Sequence, residues 1–106
     1  MNGKIKSDEM MHLFEAVLML KDPEECYRFF MDVCTINELN AMAQLYEVAQ
    51  MLSEKMTYTE IAGVTGASTA TISRVNRTLN YGDGGYRVAI ERVKEKNRLS
   101  GSENHE

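Results

Sequence analysis

Between Ala67 and Asn80 the chain reads ASTATISRVNRTLN. It has no Asp or Glu there, but it carries Arg74 and Arg77 and, in its first half, the hydroxyls of Ser68, Thr69, Thr71 and Ser73. Hydroxyl side chains donate or accept hydrogen bonds at base edges, and Thr and Ala methyls can touch thymine methyls. Arginines meet phosphates, which dominate the affinity of a protein for DNA. Acids in the same stretch would be repelled by phosphates, and bulk would hold the segment off the bases. The chemistry on offer is close contact with a nucleic acid. A solvated Ser/Thr-rich helix explains the polarity equally well, but not the spacing of the apolar residues around it.

Such a tip needs a rigid mount. Thr57 and Glu60 have the spacing of a capping box, which opens a short helix at roughly 57–64. Ile61 then points inward, and Ala62 falls where two helices would approach most closely. Gly66 supplies the left-handed backbone of a sharp turn. Ser68 or its neighbour caps a second helix, roughly 68–80, whose buried face is Ile72, Val75 and Leu79. Ala62, Gly66, Ile72 and Val75 together have the spacing of a helix-turn-helix at about 57–80. In helix-turn-helix proteins the second helix enters the major groove N-terminus first, with free N–H groups available to a phosphate. Ser68, Thr69, Ala70 and Ser73 are then candidate DNA contacts at the tip, and Arg74 and Arg77 candidate phosphate contacts. A helix-turn-helix that is purely structural, in a helical dimer working through protein contacts, is the alternative that the pattern leaves open.

The remaining elements also follow helical spacing, with no strand alternation, so the fold class expected is all-α with about six helices. Asp8 to Leu20 places Met10, Leu13, Phe14, Val17 and Leu18 on one broad face. Asp22 and Pro23 cap and begin a helix at 23–33, expected to bury Tyr27, Phe30 and Met31 with Phe29 beside them. Thr35 and Glu38 open a longer helix with two adjoining apolar stripes: Leu39, Met42, Ala43, Tyr46, Ala49 and Leu52, then Leu45, Val48 and Met51. Two stripes exceed what one small chain easily covers; either a second chain or the helix's own neighbours must cover them. After the Gly-rich connector at 81–86, Tyr86, Ala89, Ile90 and Val93 support a last helix. The 106 residues suit one domain, expected over 1–98, with 99–106 as a flexible tail.

The net charge of −4 hides an asymmetry: residues 1–67 balance to −6, residues 68–98 to +4 and the tail to −2. A basic segment on an acidic body suggests an anionic partner met by one part of the fold. No apolar run approaches the ~20 residues of a membrane span. The N-terminus lacks the long apolar segment of a secretory leader, so the cytoplasm is the expected compartment. Cys26 and Cys34 lie eight apart with no CxxC pattern and read as reduced thiols. His12 and His105 stand in no metal-ligand spacing, so no metal is expected. Nor is an enzyme: there is no carboxylate pair in a plausible cleft and no nucleophile with a base.

The run SEKMTYTEIAGVTGASTATISRVNRTL, with NELNAMAQLYEVAQML upstream, resembles the helix-turn-helix segment and long central helix of the tryptophan repressor family. The likeness extends without a gap from about Asp32 to Leu79. GASTATISRV and LNYGDGGY are most like the family's small YerC/YecD-like members. The resemblance implies a transcriptional regulator, most simply a repressor, built as an intertwined homodimer in which the N-terminal helices of one chain pack on the other. It implies a palindromic double-stranded operator with half-sites ~34 Å apart, and DNA contacts from Thr69, Ala70 and Ser73 joined by Tyr58 and Thr59. In the family two arginines sandwich the indole of bound tryptophan. Arg74 stands at the second of these positions and Gln44 at the first; Thr71 and Thr78 match further pocket positions, and Val75 replaces a glycine. Losing a cation over the ring forfeits about 0.5–2 kcal/mol, and a branched side chain fills the space beside it. Tryptophan is therefore not expected as corepressor and no cofactor is assigned. Gln44, Thr71, Arg74, Val75 and Thr78 would line a site for a different effector, or the chain binds DNA without one.

Overall fold

In a computed structural model, described over residues 7–104, the chain forms six helices. They are α1 (Asp8–Leu18), α2 (Pro23–Val33), α3 (Ile36–Ser53), α4 (Tyr58–Thr65), α5 (Thr69–Tyr81) and α6 (Gly85–Asn104), with no strand among the described residues. The all-α reading holds. Residues 1–6, which carry part of the leader reading, and His105 and Glu106 of the expected tail lie outside the described residues.

Short-range signals set the helix starts. Ser7 Oγ accepts from the Met10 N–H at 3.2 Å, and Asp22 Oδ1 from the Glu25 N–H at 2.9 Å, with Pro23 in the first turn. Thr35 and Glu38 bond reciprocally at 3.1 and 2.8 Å. Each such cap stabilises its helix by roughly 1 kcal/mol. α1 stops at Leu18 rather than Leu20, because the N–H groups of Met19 and Leu20 bond back three residues, to the carbonyls of Ala16 and Val17, and this tightening ends the helix. α3 closes with the N–H of Met56 on the Met51 carbonyl and that of Lys55 on the Leu52 carbonyl, a Schellman arrangement. Lys55 sits at φ 67° to make it.

The chain divides into two compact units, one through Leu39 and one from Asn40 onward. In the first, no residue of α1 or α2 is fully buried. Phe29 and Phe30 meet edge to face, ring centres 5.3 Å apart. Tyr27, expected inside, is 57% exposed, and Leu18 is 77% exposed; Phe29, Phe30 and Met31 are half-buried. The second unit holds the core. Val48 and Ala49 of α3, Ile61 of α4, Ala67 of the turn, Ile72, Val75 and Leu79 of α5 and Ile90 of α6 form one buried cluster. Leu45, Tyr46, Met51, Leu52, Tyr58, Ala62 and Tyr86 pack around it. Both apolar stripes of α3 thus feed the core at its C-terminal half, whereas Met42 stays exposed.

α6 continues to Asn104, into the stretch 99–106 read from the sequence as a flexible tail. Past Ile90 no side chain is buried through Ser100, so local bonds rather than packing hold these turns. Arg98 Nη2 meets Glu95 Oε2 at 2.7 Å, and its guanidinium holds the exposed Glu95 carboxyl below the usual carboxylate range. Ser100 Oγ donates to the Lys96 carbonyl at 3.4 Å.

Candidate nucleic-acid interface

α4 begins as its sequence dictates. The Thr57 hydroxyl accepts from the Glu60 N–H at 3.1 Å, and the Glu60 carboxylate accepts from the Thr57 N–H at 2.9 Å. Ile61 is fully buried one residue later. At the far end Gly66 takes φ 75°, and its N–H bonds to the Ala62 carbonyl at 2.9 Å. A left-handed residue there costs nothing only for glycine.

The turn leaves few polar groups unmatched. Thr65 Oγ1 donates to the Ile61 carbonyl at 2.8 Å and accepts from the Ala67 N–H at 3.1 Å. The Thr65 carbonyl accepts from Gln44 Nε2 of α3 at 3.1 Å. Ala67, tucked into the core, then hands the chain to Ser68. The Ser68 hydroxyl caps α5, accepting from the Thr71 N–H at 3.1 Å and donating to Thr71 Oγ1 at 3.0 Å.

α5 is divided lengthwise. Ile72, Val75 and Leu79 are buried; Thr69, Ala70, Ser73, Arg74 and Arg77 are exposed on the other side, following the exposed Ser68. This face has small or hydroxyl side chains at its N-terminal tip and two guanidinium groups farther along. Neither Arg74 nor Arg77 has an ion-pair partner among the described residues. On α4, Thr59 is exposed, whereas Tyr58 is half-buried against the core. The eight residues proposed to touch DNA therefore belong to two consecutive helices and the cap between them. At the other end of α5, Gly82 is needed for closeness: a Cβ there would lie 2.6 Å from the Thr78 carbonyl oxygen.

The residues expected around an effector are placed differently. Val75 is 2% exposed and belongs to the core, and the Gln44 amide is engaged by Thr65. Gln44 lines a cavity of about 200 Å³ with Ala43, Glu47, Met51, Val64 and Thr65. Thr78 lines another, of about 360 Å³, with Leu79 and residues of the Gly-rich connector and α6. Thr71 is half-buried and Arg74 exposed. Two residues that sequence reasoning left out support the helix-turn-helix. One is Thr65, whose hydroxyl staples the turn. The other is Arg87, which donates from Nε to the Leu79 carbonyl at 3.1 Å and from Nη2 to Asn80 Oδ1 at 2.9 Å. A threonine just before the turn glycine was the legible signal for the first; nothing in the sequence marks the second.

The profile of the Trp repressor protein family matches residues 8–94. The chain belongs to the Trp repressor family. It is 57% identical over 99 residues to the uncharacterised YerC protein of Bacillus subtilis, covering 93% of this chain and 95% of that protein. The crystal structure of a TrpR-like protein from Eubacterium eligens superposes with a TM-score of 0.81 at 57% identity, covering 84% of this chain and 92% of that one. A Staphylococcus aureus protein, solved as a candidate Trp repressor, gives 0.80 at 43% identity, with 84% and 89% covered. Membership of the Trp repressor family points to transcription regulation rather than catalysis. No helix among the described residues is long and apolar enough to cross a membrane.

Proposed function

We propose that the chain is a sequence-specific DNA-binding transcription regulator, a repressor, acting as a homodimer in the cytoplasm with residues 1–98 as its working domain. The observation that carries this reading is the exposed face of α5. It is free of acids in a chain of net charge −4, slim at its tip, and bears two arginines with no ion-pair partner among the described residues. Arg77 lies eight residues beyond Thr69, about 12 Å along the helix at 1.5 Å per residue. That matches the ~12 Å width of the major groove, so a tip among the bases leaves Arg74 and Arg77 at the phosphate wall. Ser68, Thr69, Ala70 and Ser73 then read or approach base edges, with Tyr58 and Thr59 contributing from α4. The uncovered apolar face of α1 and α2 supports the homodimer, since exposed patches of this kind mark association surfaces.

The test is selection of duplexes from a random-sequence pool, followed by mobility shifts of the selected duplex against a scrambled one across a salt series. The reading expects one enriched palindrome, bound at least ~10³-fold more tightly than the scrambled duplex, and affinity falling steeply with salt. Equal affinity for both duplexes would leave the helix-turn-helix a structural element. Because Val75 lies in the core and the Gln44 amide is engaged by the Thr65 carbonyl, we expect no rise in melting temperature when tryptophan is added; a ligand that prefers the folded state would raise it.

A further inference from the structure

We propose that Gln44 is a positioning residue for the helix-turn-helix, its side-chain amide, rather than a bound effector, tying the turn between α4 and α5 to α3. This rests on the DNA-binding reading and specifies how that same face is regulated. Gln44 Nε2 donates to the Thr65 carbonyl at 3.1 Å across 21 residues of sequence, in a half-buried site. The next longest side-chain hydrogen bond described, from Arg87 to the Leu79 carbonyl, spans eight. Apart from the two bonds of Arg87, which tie α6 to the far end of α5, the others are caps, turn bonds and within-helix bonds that would persist if α4 and α5 moved as a pair. The carbonyl it engages belongs to the last turn of a helix, where backbone oxygens lack intrahelical partners, and it directly precedes Gly66, whose left-handed backbone sets the angle between the two helices. Apolar packing against Val48 and Ala49 is non-directional, and leaves room for small rocking of α4 and α5. A directed bond at the pivot removes that freedom, and with it the entropy that ordering the tip on DNA would otherwise cost. On the far side of the turn Val75 fills the core at 2% exposure.

The test uses the full chain and two variants. Gln44→Met keeps the length of the side chain and removes the donor; Gln44→Arg keeps a donor. Hydrogen exchange is followed at the amides of Gly66 and Ala67, in the turn, and at Val48, Ile72 and Val75, in the core. Gln44→Met is expected to speed exchange at the turn at least about tenfold while the core amides hold their rates, since local and global openings are separable. Gln44→Met should also lower at least tenfold the preference for the selected duplex over the scrambled one, and Gln44→Arg should restore both. Wild-type chain unfolded in guanidinium chloride, dialysed and refolded should bind the selected duplex unchanged. Turn exchange unaltered in Gln44→Met, acceleration spread equally over turn and core, or loss of binding after refolding would each overturn the proposal. Failure of the pool to yield any preferred duplex sinks the DNA reading instead, and the exchange rates still decide the role of Gln44.

Discussion

Arg87 lies against the C-terminus of α5, with its Nε 3.1 Å from the Leu79 carbonyl oxygen and its Nη2 2.9 Å from Asn80 Oδ1. The last carbonyls of a helix have no partner within it, and a cation there also meets the negative end of the helix dipole. α6 thereby fixes the end of α5 opposite the tip. Replacing Arg87 with Met keeps most of the stem and removes the donors. The chain should lose about 1 kcal/mol, seen as a melting temperature lower by roughly 4–8 °C. An unchanged melting curve would mean that water serves these carbonyls as well as the guanidinium does.

Gly66 and Lys55 share a left-handed backbone, at φ 75° and φ 67°, and they should respond oppositely to substitution. Nothing lies within 4 Å of a Cβ built on Gly66, so Gly66→Ala meets only the backbone cost, about 1–2 kcal/mol. Lys55 already bears that cost at the end of α3, and Lys55→Gly should recover about 1 kcal/mol by the same reasoning. Denaturant melts of the two variants check the signs. If both lower stability, the Lys55 side chain holds the end of α3 in a way its backbone does not reveal.

The contrast between these two positions shows what the sequence discloses. Reciprocal Ser/Thr–Glu spacings, Pro23 after Asp22, and Gly66 between two short apolar patterns are rules acting over four residues. They located four of the six helices, α2 to α5, to within a residue or two at the end each rule governs. The buried faces of α4 and α5 followed from helical spacing alone. What stayed hidden depends on partners distant in sequence or on local bonds in a polar segment. Lys55 at a left-handed site breaks the residue preference. The Gln44 amide reaches a carbonyl 21 residues away, and no spacing rule points there. Tyr27 looked buried because its stripe is apolar, yet a stripe says which face is greasy without saying which chain covers it. α6 outran its apolar pattern because Glu95, Arg98 and Ser100 bond locally.

On the DNA-binding face, two classes of substitution should separate. Arg77→Ala removes one phosphate contact. It should weaken selected and scrambled duplexes alike and reduce the slope of log affinity against log salt by about 0.9; Arg77→Glu should weaken both further. Thr69→Ala changes what the tip offers to a base edge. It should leave the salt slope unchanged and shift discrimination at one position of the half-site by about 1–3 kcal/mol. Because Thr69 and Arg77 are exposed, neither change disturbs the core. Should Arg77→Glu bind the selected duplex as the wild type does, α5 does not face the phosphates.

Leu13 and Phe14 on α1 are 42% and 43% exposed, and on α2 Tyr27 is uncovered as well. A charge introduced at Leu13 or Phe14 removes little from the core of the single chain, which lies beyond Asn40. A second copy covering this face would have to bury that charge without a partner, at several kcal/mol, enough to dissociate an interface of ordinary size. Light scattering should therefore find the wild type at twice the single-chain mass of 12.0 kDa and Phe14→Asp at the single-chain mass, with α-helical circular dichroism retained. The monomer should also lose most affinity for a full palindrome while keeping its weaker affinity for one half-site, because joining two sites raises affinity through effective concentration. A Phe14→Asp chain that stays dimeric would place the contact elsewhere on the molecule, and the spacing of half-sites would then have to be set by a different surface.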